Sequence, residues 1–189
     1  LTFWFFHYLE SERGYTPEQA MMTMLVAIAA LSLGYILGGN VGDALFKRFQ
    51  RGRVILAGIG VLLGAIFLLV TMLLPEEQTT LFMVMMGLTG VSMSLASPNV
   101  MATVHDITLP EVRSTAQSLR KLFEDGGAAI APFLAGVIAT QTSLHVAILS
   151  ICIVTWVVCA GFFVIVAAVV PADINRLRKT MQDRAQKAA

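Results

Sequence analysis

Residues 40 to 79 read NVGDALFKRFQRGR, VILAGIGVLLGAIFLLVTMLL and PEEQT: a basic stretch, an apolar run of 21 residues (54 to 74) and an acidic stretch. A helix needs about 20 mostly apolar residues to cross a hydrocarbon core of about 30 Å, so the middle run is long enough to span a bilayer. Lys and Arg resist translocation and gather in short cytoplasmic loops, which puts residues 40 to 53 inside and residues 75 to 79 outside.

The same reading extends in both directions. Apolar runs at 20 to 39, 54 to 74, 80 to 104, 116 to 140 and 146 to 170 give five full spans. The loops 10 to 19 and 141 to 145 fall outside with 75 to 79, whereas 40 to 53, 105 to 115 and 171 to 189 fall inside. Of the 13 Lys and Arg residues, 12 lie on the inner side and only Arg13 on the outer. The 189 residues are 57% apolar and 13% charged, against about 25% charged in soluble domains. The fold class is therefore an all-α membrane bundle with five full spans and the end of a sixth. That end is LTFWFFHYL (1 to 9), too short to cross, with Trp4 and Tyr8 of the type that sits at the interface. The chain opens without a signal-peptide pattern and reads as a piece of a longer protein. Thr16-Pro17 has the form of a helix start. Glycines at four-residue spacing, Gly34 with Gly38 and Gly60 with Gly64, and also Gly87 and Gly90, predict close helix contacts. Cys152 and Cys159, about 10 Å apart along a helix, cannot pair with each other. They read as buried small apolar residues. Neither a metal-ligand spacing nor a cofactor motif is present.

The inner loop Gly38-Gly39-Asn-Val-Gly42-Asp43-Ala-Leu-Phe-Lys47-Arg48-Phe-Gln-Arg51-Gly52-Arg53 resembles the G-x-x-x-D motif with basic residues and a closing G-R of the major facilitator superfamily. Gly39 and Asp43 take its first and fifth positions and Gly52-Arg53 its end. Ala44 stands where an Arg is common, and the basic end is a few residues longer. Pro110-Glu-Val-Arg113-Ser-Thr115-Ala116, then Gly126-Gly127, Pro132 and Gly136, is similar to a loop and fifth helix of a C-terminal half. The resemblance implies two six-helix halves around a cavity, with alternating access. On that reading residues 1 to 170 are the C-terminal six-helix half with its first helix truncated, residues 171 to 189 a basic cytoplasmic tail, and the N-terminal half is missing. Gly39, Asp43, Arg48, Arg53 and Arg113 become loop-motif and gating residues.

The apolar part after Asp125 (126 to 139) is 14 residues, about 21 Å, which is too short to cross. The span must recruit earlier residues, which carries Glu124 and Asp125 within the membrane boundary. Ionisable groups there usually face protein or an aqueous cavity. At 100° per residue Arg113, Gln117, Arg120 and Glu124 form one stripe and Ser114, Ser118, Lys121 and Asp125 the next, with Leu119, Leu122, Phe123, Ile130 and Phe133 on the remaining side. Arg120 with Glu124 and Lys121 with Asp125 read as local pairs, as cavity groups that bind substrate or a coupling ion, or as an interhelix gate. Ser94 and Asn99, with Ser92 and Ser97, flank Pro98 on the third span, where they either line the cavity or hydrogen-bond between helices. The resemblance implies that the first helix lines the cavity, with His7 and Tyr8 at an outer gate. An interfacial belt accounts for Tyr8 equally.

The functional expectation is secondary active transport of a small solute, with a proton or another ion as a possible coupling partner and without a cofactor, a metal or enzymatic chemistry. A membrane assembly or anchoring subunit is the alternative. The basic tail suits anionic lipid and lacks the aromatics of a nucleic-acid binder.

Overall fold

A computed structural model of the chain describes residues 2–188. Leu1, Ala189 and the side chains of residues 2–4 and 188 lie outside it, and with them the interfacial role expected of Trp4. The described residues form α1 (Thr2–Ser11), α2 (Pro17–Arg48), α3 (Gly52–Met72), α4 (Thr79–Ser94), α5 (Ala96–Ile107), a 3-10 turn (Pro110–Val112), α6 (Arg113–Gln141) and α7 (Leu144–Ala188), with no strand among them. Counting α4 and α5 as one broken helix, five helices are long and apolar enough to cross a membrane, one for each expected span.

The helices run further than the apolar runs. α2 continues to Arg48, and the basic inner loop shrinks to residues 49–51, because Gly38 and Gly42 are packed rather than free to turn. α7 passes through Pro171 to Ala188, so the change of character at residue 171 is one of composition, without a break in the helix. Thr16 caps α2 as expected, in a reciprocal capping box with Gln19.

In order of adjacency, α2 packs on α4, α4 on α3, α3 on α7 and α7 on α6. Pro98 has no N–H to offer the Ser94 carbonyl, and the third span breaks at Leu95 between α4 and α5. This break is gripped from two sides. An ideal Cβ on Gly38 would lie 2.8 Å from Leu95 Cα, and one on Gly60 would lie 2.6 Å from the Ser92 carbonyl. Gly34 and Gly42 meet Ser94 and Asn99 in the same manner, so a glycine stripe on α2 and a glycine patch on α3 let three backbones approach. Asn99, 2% exposed, donates its amide to the Gly38 carbonyl (2.9 Å) and to Leu95 (2.7 Å).

Apolar side chains cluster at the two ends. Toward the acidic loops, Phe5, Leu9, Leu68, Met72, Phe82 and Ile148 join α1, α3, α4 and α7; toward the basic loops, Val54, Val170 and Ile174 join α3 to α7. α1 covers only the acidic end of α7. Cys152 is therefore buried beneath it, whereas Cys159, two turns further on the same face, is exposed, contrary to the expectation that both would be buried.

Gly38 and Gly39 separate close packing from mere smallness. Gly38→Ala is expected to lower unfolding stability by about 1–3 kcal/mol, since its methyl meets backbone that cannot swing away. Gly39→Ala, where a Cβ meets nothing within 4 Å, is expected to be neutral. Thermal midpoints of the two purified variants check this.

Candidate functional site

Apart from Asn99 and Ser94, the expected site residues fall into three places. The first is α6, which projects its charges along one exposed face. Arg120 donates from Nε to Gln117 Oε1 (2.9 Å) and from Nη1 to Glu124 Oε2 (2.7 Å), and Lys121 Nζ pairs with Asp125 Oδ1 at 2.9 Å. Gln117 reaches across to the Met101 carbonyl of α5 at 3.5 Å. An open cleft of about 590 Å³ lies beside these residues, lined by Met101, Gln117, Ser118, Arg120, Lys121, Leu122 and Asp125. On the opposite side Leu119, Ile130 and Phe133 are exposed, as is Phe123 at 74%. Of all α6, only Ala135 is buried. The helix rests mainly on α7 and leaves both its polar and its apolar faces uncovered.

Asn99 and Ser94 are not brought to that cleft. They face α2, on a different side of the broken helix from Met101, and both are buried. Ser94 returns its hydroxyl to the Gly90 carbonyl of its own helix (2.8 Å), whereas Ser97 accepts from Tyr35 of α2 (3.1 Å). The geometry of this group is that of helix-to-helix packing.

The second place is the basic end. Arg53, in the first turn of α3, pairs with Asp43 of α2 (2.6 Å) and with Asp106 of α5, and its guanidinium lies 4.1 Å from the Phe46 ring centroid. Three helices thus share one cation. Asp43 is 60% exposed and Asp106 26%. Arg48 ends α2 with its side chain exposed, and Arg113 starts α6 half-buried, its Nε without a partner. Gly39, at the motif's first position, faces open space; close contact falls to Gly38 and Gly42. Farther along, Arg184 of the tail pairs with Glu111 (2.6 Å) and folds the end of α7 over the 3-10 turn.

The third place, the acidic end, holds a cluster that sequence reasoning missed. The Glu12 carboxylate accepts from the Leu144 and His145 amides (2.6 and 2.9 Å), capping α7 from across the bundle. Ser143 completes that cap by accepting from the Val146 amide. Arg13, 6% exposed, donates to the Leu74 and Pro75 carbonyls (3.1 and 2.9 Å) in the turn after α3 and lies 4.1 Å from the Phe82 centroid. Tyr8 Oη and His145 Nδ1 are hydrogen-bonded at 3.0 Å. A cavity of about 350 Å³ is enclosed by Tyr8, Glu12, Arg13, Glu76 and His145 together with the turn after α3. Of the two residues expected at an outer gate, Tyr8 joins this cluster, whereas His7 is exposed on the other side of α1. Neither this cluster nor the Asp106 pairing leaves a spacing signal, since the partners are 53 to 137 positions apart.

No metal-binding group of three His, Cys, Asp or Glu exists among the described residues. No curated protein matches the chain in sequence. The chain does match the Major Facilitator Superfamily, a family of transporters, over residues 1–188. That match spans every helix described above, including the Arg53 junction and the charged face of α6. The chain is a multi-pass membrane protein of transport that belongs to the major facilitator superfamily.

Proposed function

We propose that this chain is the C-terminal half of a secondary transporter in the cell membrane, with its basic loops and tail cytoplasmic, and that it moves a small solute by alternating access against a second six-helix body. The observation that carries the reading is the exposed charged face of α6. Glu124 precedes Gln141 by 17 residues, about 25 Å of helix, which is less than the core thickness of about 30 Å. Charges at that depth are costly against lipid and stable against water or protein. The polar face of α6 therefore borders the solute path, with the missing half opposite, and Glu124 and Asp125 are the groups for a coupling proton or another ion. The Arg53 junction, in this reading, closes the basic end by holding α2, α3 and α5 together.

An assembly subunit whose charges only neutralise one another is the competing reading, favoured by the closure of both α6 pairs. Transport by the full-length protein in proteoliposomes separates the two. Glu124→Gln is expected to cut uptake at least about tenfold, the scale of one lost charged contact, with expression and insertion unchanged. Unaltered uptake would remove α6 from the solute path, and an absence of solute flux in the unmodified protein would favour the assembly role.

The junction gives a second expectation. Asp106→Asn, which strips the less exposed acid from Arg53, should lower unfolding stability by about 1.5–3 kcal/mol. Asp43→Asn, at an exposed pair, should cost under about 1 kcal/mol. Equal losses in a thermal or denaturant series would show that the junction is not organised around its inner acid.

A further inference from the structure

Between α3 and α7 runs an apolar groove of about 670 Å³. Gly58 brings α3 against Phe163 Cβ, where an added Cβ would stand at 3.0 Å, while a Cβ on Gly161 would meet nothing within 4 Å. The helices touch at the first glycine and stay apart at the second. The walls are exposed apolar side chains, Ile55, Ile59 and Leu62 facing Val157 and Val164.

The groove has a polar end. Arg51, at the loop joining α2 to α3, is the cation in its lining, and among the described residues no carboxylate lies within ion-pair distance of it. Its neighbour Gln50 donates to Asn175 of α7 (3.0 Å), which fixes the loop against the groove mouth. From Arg51 to Leu62 along α3 and its N-cap, and from Ala168 back to Val157 on α7, the lining spans 12 residues, or 11 helical steps. That is about 16 Å of helix, the depth of one leaflet in a hydrocarbon core of about 30 Å.

We propose that this groove binds one anionic phospholipid of the leaflet on the basic side, its acyl chain between α3 and α7 and its phosphate on Arg51. The guanidinium is suited to phosphate because it presents a planar fork of donors. The leaflet-length apolar trough ending in the Arg51 cation matches such a lipid in both length and charge. This site is separate from the α6 face and does not depend on the transport reading.

Native mass spectrometry of the full-length protein in detergent tests it, with palmitoyl-oleoyl phosphatidylglycerol or phosphatidylcholine as the added probe. The expected result is one phosphatidylglycerol retained per protein in preference to phosphatidylcholine. Arg51→Gln should weaken retention about tenfold, the loss of a charge-assisted bond. Gly161→Leu, which fills the trough where no atom stands in the way, should abolish retention while thermal stability holds. Equal retention of both lipids, or a Gly161→Leu variant that still holds phosphatidylglycerol, would overturn the proposal. So would a dimer that Gly161→Leu disrupts while lipid retention is unchanged, since the groove would then belong to a second copy.

Discussion

A proline in the middle of an apolar span forces the arrangement of the bundle. Pro98 deprives the Ser94 carbonyl of its partner, and α4 gives way to α5 at Leu95. In a bilayer a freed backbone group has no water to turn to, so the break must be enclosed by protein. Glycines on α2 and α3 supply that enclosure by letting their backbones come within reach, and Asn99 adds a donor from the broken helix to the Gly38 carbonyl. α7 then leans on α3 and α6 on α7, so the position of every later helix follows from this three-backbone contact.

The two ends of the bundle are tied by different means from its middle. At the acidic end Arg13 takes two carbonyls of the turn after α3, and Glu12 takes the first amides of α7, where a negative charge meets the positive pole of the helix. At the basic end Arg53 is shared by acids from α2 and α5. Close packing in the middle is insensitive to charge, whereas both ends depend on ions.

Two of the surfaces left uncovered differ in chemistry. α6 offers a charged stripe and a greasy stripe on opposite sides, as a helix placed between water or protein and lipid requires. The α3–α7 groove is apolar along its length with one cation at its mouth, the polarity pattern of a single lipid. The first belongs to the proposed solute path and the second to the membrane side.

The number of spans and the Thr16 cap were legible in the sequence because each depends on local features: run length and adjacent residues. The i,i+4 pairs on α6 were legible for the same reason, since helical geometry alone brings them together. The tertiary structure decided which glycines make contact, so that Gly38 and not Gly39 is the tight position. It also decided that Asn99 spends its amide on α2, that Arg13 is a buried tie and not a stray outer charge, and that Asp106 belongs to Arg53. These contacts join residues tens to more than a hundred positions apart, and which face of each helix meets which neighbour is set by packing across the whole bundle, a quantity that no local pattern of residues carries.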